Sequence, residues 1–327
     1  GNTVVWKPSN ETPFMAYELA KICEEVGLPA GVLNVVFGSG PTVGTAMIEH
    51  PDIRVISFTG STATGSKVAE LGGKHLKKVS LEMGGKNAVI VMDDADLELA
   101  LEGILWSAFG TAGQRCTACS RVIVHKDVKE ELESRLVEAA KSLTIGDGLD
   151  PATKVGPVIN KAALEKINHY VQIGKQQGAT LLTGGNILAE GALANGYYFA
   201  PTIFTNVEAD SILAQEEIFG PVVSIIEVDS LEQAIDVNNS VKFGLSSSIF
   251  SKDVNTIFRA QQLLDTGIVY VNAGTTGAEI HLPFGGTKGT GNGHRDSGQA
   301  ALDVYTEWKS IYVDYSGKLQ RAQIDNA

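Results

Sequence analysis

The sequence predicts an α/β protein with Rossmann-type parallel sheets in two intimately packed domains. Three observations predict it. Short apolar strand-like runs alternate with helix-like segments over the first ninety residues, and the alternation resumes from about residue 86. Glycines cluster at 38–44, 60–65, 72–73, 84–85, 184–185 and 285–293, where the backbone turns sharply or approaches something closely. No linker-like stretch separates the two halves, so the domains are expected to pack closely. Alternating strands and helices imply parallel, doubly wound sheets, which bind ligands beyond the carboxyl ends of their strands.

The elements follow in order. Thr3–Trp6 reads as a strand, and Thr12-Pro13 as an N-cap with proline at the first helical position. Leu19, Ile22 and Val26 follow at helical spacing, with Cys23 on the buried face, and Gly27 ends the helix. Val32–Val36 is a strand, Pro41–His50 a helix, and Val55–Phe58 a strand entering Thr59-Gly60-Ser61-Thr62. A helix over 64–71 precedes the strand Val79–Leu81. In the second half, strands are expected at Ala88–Met92, Arg121–His125, 180–183, Val222–Val228, Ser246–Phe250 and Ile268–Asn272. Helices are expected at Leu97–Phe109, Lys129–Leu143, 161–177 and Leu231–Val237. Glu307–Tyr315 reads as a long strand followed by a polar tail.

Composition narrows the function classes. The 327 residues are 43% hydrophobic and 20% charged, an ordinary balance for a soluble globular protein. Net charge is −12 and Lys and Arg form no run, so neither nucleic acid nor an anionic membrane is expected as a partner. No apolar stretch approaches the roughly 18 residues of a membrane span, and the chain opens on a strand-like run rather than a leader. Three cysteines do not make a disulfide scaffold, which points to a reducing, cytoplasmic setting.

Two of those cysteines stand in G-T-A-G-Q-R-C-T-A-C-S-R, residues 110–121. A zinc clip needs four ligands, and the chain has no second CxxC or His pair; no metal is expected. A thioredoxin-type pair opens a helix, whereas this loop follows one. Two buried structural thiols, or one nucleophile with a bystander, are the other readings. Gly113 lets the backbone bend, and Arg115 places a cation beside the Cys116 thiol, which favours thiolate. A nucleophilic cysteine needs a group that activates water, and L-E-M-G-G-K (81–86) offers Glu82 at the end of an apolar strand. Partial desolvation there raises a carboxyl toward general-base range.

The motifs L-E-M-G-G-K-N-A and F-G-T-A-G-Q-R-C-T-A-C-S resemble the glutamate and cysteine signatures of the aldehyde dehydrogenase superfamily. So do V-V-W-K-P-S-N-E-T-P near the start, F-T-G-S-T (58–62), E-E-I-F-G-P-V (216–222) and L-P-F-G-G-T-K (282–288). The resemblance implies an aldehyde-dehydrogenase-like fold: a partial dinucleotide-binding domain over 1–84, a catalytic domain over 85–290, and a return to the cofactor domain with an oligomerisation strand over 291–327. It implies that Cys116 attacks an aldehyde to give a thiohemiacetal. Hydride transfer to NADP or NAD then gives a thioester, and Glu82 activates the water that hydrolyses it. Cys119 and Cys23 are then packed bystanders.

The resemblance also implies cofactor contacts from Lys7, from the turn Gly60-Ser61-Thr62-Ala63-Thr64-Gly65, and from Glu217 on the nicotinamide ribose, with Phe219 beside it. Without the resemblance, that glycine turn is a weak signal and Lys7 an ordinary surface lysine. Many NAD-preferring relatives carry Glu where this chain has Asn10. Ser9 and Asn10 donate to a 2′-phosphate that a carboxylate would repel, so NADP is expected to be tolerated or preferred.

For the substrate, Asn272–Ile280 resembles the anchor loop of relatives that oxidise carboxylate-bearing semialdehydes, with amides of Gly277 and Ala278 on the carboxylate. Phe284 is expected to line the tunnel. Arg115 faces a substrate carboxylate or pairs with a nearby acid. The G-Q-R-C-T stretch and the tail Y-V-D-Y-S-G-K-L-Q-R-A-Q-I-D lean toward the 2-oxoglutarate-semialdehyde type. A homodimer or homotetramer is expected through Ile311–Tyr315.

Relatives carry a long N-terminal region that includes an oxyanion-hole asparagine. None precedes Gly1, so the chain is expected to be a fragment, a partial gene product or a lineage that lost catalysis. Loss of one oxyanion donor costs about 10²–10³ in rate. Two other readings stand beside the hydrolytic enzyme: a CoA-acylating dehydrogenase or thioesterase, and a nucleotide-binding pseudoenzyme or structural subunit.

Overall fold

A computed structural model describes residues 1–318. The chain begins with β1 (Val4–Trp6), α1 (Pro13–Glu25), β2 (Leu33–Val35), a π-type turn over Gly40–Gly44, and α2 (Thr45–Glu49). Next come β3 (Val55–Thr59), α3 (Thr62–Lys74) and β4 (Lys78–Glu82). β1 pairs with β2 and β3 with β4, both in parallel. The two pairs share no ladder, so these four strands make two small sheets rather than one.

The central sheet draws on β5 (Asn87–Val91), β6 (Cys119–His125) and β7 (Thr180–Thr183). After a small hairpin of β8 (Ile187–Leu188) and β9 (Tyr198–Phe199) come β10 (Thr202–Thr205), β11 (Val222–Val228) and a short β12 (Phe243–Gly244). β13 (Ser246–Phe250) and β14 (Ile268–Val271) complete the sheet, and β15 (Thr287–Lys288) pairs with β12. The seven-stranded order is β14-β13-β5-β6-β11-β10-β7, parallel except for β7 at one edge. The helices between are α4 (Leu97–Phe109), α5 (Lys126–Ser142), α6 (Lys161–Gln176), α7 (Ile212–Gln215), α8 (Leu231–Asn239) and α9 (Val254–Leu263).

Period-two alternation explains how β5 serves both faces. Val89 and Val91 join the core made with Ile104 and Phe109 of α4, Leu136 of α5 and Ile167 of α6. Ala88 and Ile90 join a second core with Ala234 of α8 and Ala260 of α9. A strand covered on both faces reads as a continuous apolar run, as N-A-V-I-V does. Each fully buried Val or Ile contributes about 1.5–3 kcal/mol of transfer free energy. Asp96 starts α4 by accepting from the Glu98 and Leu99 N–H groups at 3.1 and 3.2 Å.

Thr12 stands at the N-cap of α1 with Pro13 in its first turn, as expected, although its side chain makes no capping hydrogen bond. Two expectations need correction. Cys23 is only half-buried, because the apolar stripe of α1 has little packed against it: Leu19, Ile22 and Val26 are 48, 53 and 78% exposed. Residues 306–315 form no strand and find no ladder partner among the described residues; a helix, α10 (Ala300–Tyr305), precedes them. The tail from residue 319 lies outside the described residues. No helix among the described residues is long and apolar enough to cross a membrane.

Candidate active site

The site forms where β4 ends, β5 begins and the loop before β6 returns. Glu82 is the last residue of β4, and Met83-Gly84-Gly85-Lys86 carries the chain to β5. Two glycines are required there. A Cβ on Gly84 would stand 2.4 Å from Glu217 Oε2, and one on Gly85 would stand 2.7 Å from the Cys116 carbonyl oxygen. The Gly85 N–H donates to Glu217 Oε1 at 2.9 Å. Asn87 locks the cysteine loop: its Nδ2 donates to the carbonyls of Cys116 (2.7 Å) and Ala118 (2.9 Å), and its Oδ1 accepts from Ser246 N–H (3.1 Å).

The cysteine loop is strained. Thr111 and Ala112 adopt positive φ of 54° and 53° beside Gly113 at 67°. Such outliers persist where the surroundings over-determine them, typically at functional sites. Phe219, in the facing loop, also has φ of 60°.

Burial pushes the Cys116 thiol above its ordinary range, and the nearby Glu82 and Glu217 add to the rise, against the N–H groups of Thr117 and Cys116 itself. Arg115 is not among the main contributors to that balance. Its guanidinium lies 5.7 Å from the Trp106 ring centre and forms no ion pair among the described residues, so the expected thiolate-favouring cation is directed elsewhere. Cys119 is buried, its thiol donates to the Arg121 carbonyl at 3.3 Å, and burial pushes it up to about 12. A thiol held that firmly protonated is a packing group.

Glu82 is 6% exposed, and neither carboxylate oxygen finds a partner among the described residues. Burial first, then Asp296, pushes it up to about 8, with Arg295 opposing. The segment 284–296 straps β4 in place. Met83 N–H donates to the Thr290 carbonyl (2.8 Å), Thr290 Oγ1 to the Gly84 carbonyl (2.8 Å), and Leu81 N–H to Asn292 Oδ1 (3.1 Å). Phe284 begins this strap, half-buried. Burial likewise raises Glu217, against the Gly85 N–H and then Lys166, Lys86 and Lys242.

The cofactor-type residues lie on β1, α3 and the Glu217 loop. Lys7 Nζ donates to the carbonyls of Pro8 (2.7 Å) and Gly38 (3.3 Å). Ser61 caps α3 by accepting from Thr64 N–H at 3.2 Å, while the N–H groups of Thr62 and Ala63 find no partner among the described residues. Gly60 and Gly65 are needed for packing: a Cβ would meet the Phe58 ring at 2.6 Å or Met83 Sδ at 2.3 Å. Ser9 and Asn10 are exposed, and Ser9 Oγ accepts from Glu11 N–H at 3.2 Å.

The anchor-type loop docks on the cysteine loop. Thr275 N–H donates to Ser107 Oγ (3.0 Å), and Thr275 Oγ1 donates to the Thr117 carbonyl (2.7 Å). Gly277 at φ 114° and Ala278 follow, both exposed. The Tyr270 and Thr276 hydroxyls are buried without partners among the described residues. Sequence reasoning missed Lys86, Asn87, Tyr270, Thr275, Arg295 and Asp296. Only the adjacency of Lys86 and Asn87 to the glutamate motif signals any of them.

Comparison with known proteins agrees with this geometry. The model of the aldehyde dehydrogenase family matches residues 1–311. The chain is 44% identical over 313 residues to an alpha-ketoglutaric semialdehyde dehydrogenase of Bacillus subtilis (strain 168), covering 96% of this chain and 64% of the relative. It is 42% identical over 318 residues to a 1-pyrroline-5-carboxylate dehydrogenase of Geobacillus thermodenitrificans (strain NG80-2), covering 95% and 61%. The betaine aldehyde dehydrogenase of Staphylococcus aureus, solved in complex with NAD+, superposes with a TM-score of 0.90 at 36% identity, covering 93% of this chain and 60% of that one. The chain thus spans less than two thirds of these relatives' length. With the glutamate and cysteine motifs folded against one another, it belongs to the aldehyde dehydrogenase family.

Proposed function

We propose that this protein oxidises a carboxylate-bearing semialdehyde, of the 2-oxoglutarate-semialdehyde type, to the carboxylic acid with NADP+ or NAD+. The observation that carries the reading is the grouping of Cys116, Glu82 and Glu217 around Met83–Asn87. The Cys116 sulfur, as thiolate, adds to the aldehyde carbon, and the new oxyanion lies within reach of the Cys116 N–H. A bound nicotinamide dinucleotide supplies the acceptor for the hydride that leaves this adduct. Glu82 then takes a proton from water as its oxygen attacks the thioester; the C–S bond breaks and the acid is released. An unpartnered buried carboxylate with its proton affinity raised to about 8 suits that step.

The residues present fit a dinucleotide. The free Thr62 and Ala63 amides open the 13-residue helix α3, a setting that suits pyrophosphate. Glu217 would hold the nicotinamide ribose, with Phe219 beside it, and Lys7 the adenosine ribose. The substrate class is supported by the name of the alpha-ketoglutaric semialdehyde dehydrogenase relative and by the Gly277–Ala278 amides, which donate to nothing among the described residues. Phe284 and Arg115 complete the proposed substrate contacts.

The test is NADH and NADPH production by the purified chain with 2-oxoglutarate semialdehyde, beside Cys116→Ala. Turnover lost in the variant supports the reading. Nucleotide binding without turnover would leave a non-catalytic role, and turnover stimulated by coenzyme A would give the acylating reading.

A further inference from the structure

The loop that carries Glu217 has no regular structure of its own: α7 ends at Gln215 and β11 begins at Val222. Within it Phe219 is held at a φ of 60°, a conformation that a bulky residue keeps only where its surroundings impose it.

Helix α6 supplies those surroundings. Tyr170 and Ile167, three residues apart on one face of α6, meet the two ends of the loop. At one end the Tyr170 hydroxyl donates to Glu216 Oε2 at 2.6 Å. At the other, Ile167 packs so closely on Gly220 that a Cβ there would stand 2.5 Å from its Cδ1. Between them Ile218 is buried in the main core. Positions 216, 218 and 220 are therefore anchored. The alternate positions are Glu217, whose Oε1 accepts from Gly85 N–H at 2.9 Å, and Phe219, which is 41% exposed.

The Tyr170–Glu216 bond is the polar anchor of the three. The Glu216 carboxylate has no other side-chain partner among the described residues. The length falls in the range of about 2.5–2.7 Å that marks an O–H donor on an ionised acceptor, roughly twice as strong as a neutral bond. Burial first, then Glu216, pushes the Tyr170 phenol up to about 12, so it remains a donor across the neutral range.

We propose that Tyr170 is a positioning residue: its hydroxyl, by fixing the Glu216 carboxylate against α6, sets the loop so that the adjacent Glu217 carboxylate stays on the Gly85 N–H. The clamp stands on hydrogen bonds and packing alone. Its use, presenting Glu217 to the nicotinamide ribose, rests on the function proposed above.

The first test needs no nucleotide. Deuterium exchange is followed on the peptide spanning Met83–Asn87 in the 327-residue chain and in Tyr170→Phe, which keeps the ring and removes only the hydroxyl. Exchange at least threefold faster in the variant is expected, because the Gly85 N–H loses a fixed acceptor. Unchanged exchange overturns the proposal, even if the urea midpoint falls, since Tyr170 would then be a packing residue only.

The second test is a double-mutant cycle on NADH affinity, with Tyr170→Phe, Glu216→Ala and the pair. Each single variant is expected to raise the Kd at least fivefold, and the pair no further, because both remove the same bond. The NAD+ KM should rise in parallel while the aldehyde KM holds. Additive losses, or an unaltered Kd, overturn the proposal. Absence of NADH binding in the unaltered chain would defeat the proposed function, and the exchange measurement would still decide the clamp.

Discussion

The Asn87 side chain holds the Cys116 carbonyl at 2.7 Å across 29 positions of sequence. Both of its polar atoms are engaged: Nδ2 with Cys116 and Ala118, Oδ1 with Ser246, at 3% exposure. Asn87→Ala therefore leaves two carbonyls and one N–H without a partner. Each unsatisfied buried group costs about 1–3 kcal/mol. We expect a lowered urea midpoint and a loss of kcat of at least tenfold, because the loop that aims Cys116 is released. A variant with unaltered kcat and stability would show that the loop is held by its other contacts.

Gly113 presses its backbone against the E-E-I-F-G-P loop. A Cβ there would lie 2.2 Å from the Gly220 carbonyl oxygen, at a φ of +67° that already disfavours side chains. Overpacking costs about 1–3 kcal/mol and the left-handed conformation about 1–2. Gly113→Ala is expected to destabilise by about 2–5 kcal/mol in urea unfolding. It should also impair turnover, since the cysteine loop and the Glu217 loop meet there. Gly73→Ala is the control: its Cβ would meet nothing within 4 Å, and only a small change is expected.

Much of this was legible in the sequence, and the exceptions have physical causes. Leu97–Phe109 and Val222–Val228 were read with their observed bounds, because long apolar periodicity and continuous buried runs are strong signals. Glu82, Cys116 and Glu217 were singled out through motifs and come together as neighbours. Lys86 and Asn87 were not: in G-G-K-N they look like a polar turn. Their partners lie as far as 159 positions away, beyond what local pattern reveals. Glu307–Tyr315 reads in the sequence as a long strand. A strand needs a ladder partner, and none is found among the described residues, where α10 precedes the segment.

That segment carries a prediction about assembly. Trp308, Tyr312 and Tyr315 are 95, 95 and 94% exposed, with Ile311 at 74%. Apolar side chains concentrated on an unpaired extended segment suit pairing with a second copy. Sedimentation equilibrium is expected to show a dimer or tetramer. Ile311→Pro, which removes a ladder donor, should shift it toward monomer. A monomer across the micromolar range in the unaltered chain would rule the assembly out.

The pH dependence follows from two shifts of the same sense. Cys116 lies above the ordinary thiol range and Glu82 at about 8, so both reactive bases grow in population as pH rises. The steady-state rate should climb from pH 6 to 9. In Glu82→Gln, one equivalent of NADH should form in a burst before slow hydrolysis. For stability the sign runs the other way. The folded chain keeps the Glu82 proton between about 4.5 and 8, where an unfolded glutamate has released it. This contribution is full below pH 4.5 and is lost as pH rises through 8. Glu82→Gln should remove that decline from the urea-midpoint profile, and an unchanged slope would show that Glu82 titrates normally.

Cofactor choice tests the residues after Lys7. Glu11 is the nearest acid in sequence to the exposed pair Ser9 and Asn10, and its Oε1 accepts from Asn160 Nδ2 at 3.1 Å. That contact turns one Glu11 oxygen toward Asn160, and the residue at position 10 is a neutral donor where many NAD-preferring relatives carry an acid. Two unit charges 4 Å apart near a protein surface interact by about 4 kcal/mol, enough to reverse a preference. The unaltered chain is expected to use NADP+ at least as well as NAD+ by kcat/KM. Asn10→Glu should lower the NADP+ value at least tenfold and spare NAD+. Equal losses with both nucleotides would mean that Asn10 supports the loop and does not read the ribose, and Asn160→Ala, which frees Glu11, should then leave the ratio unchanged as well.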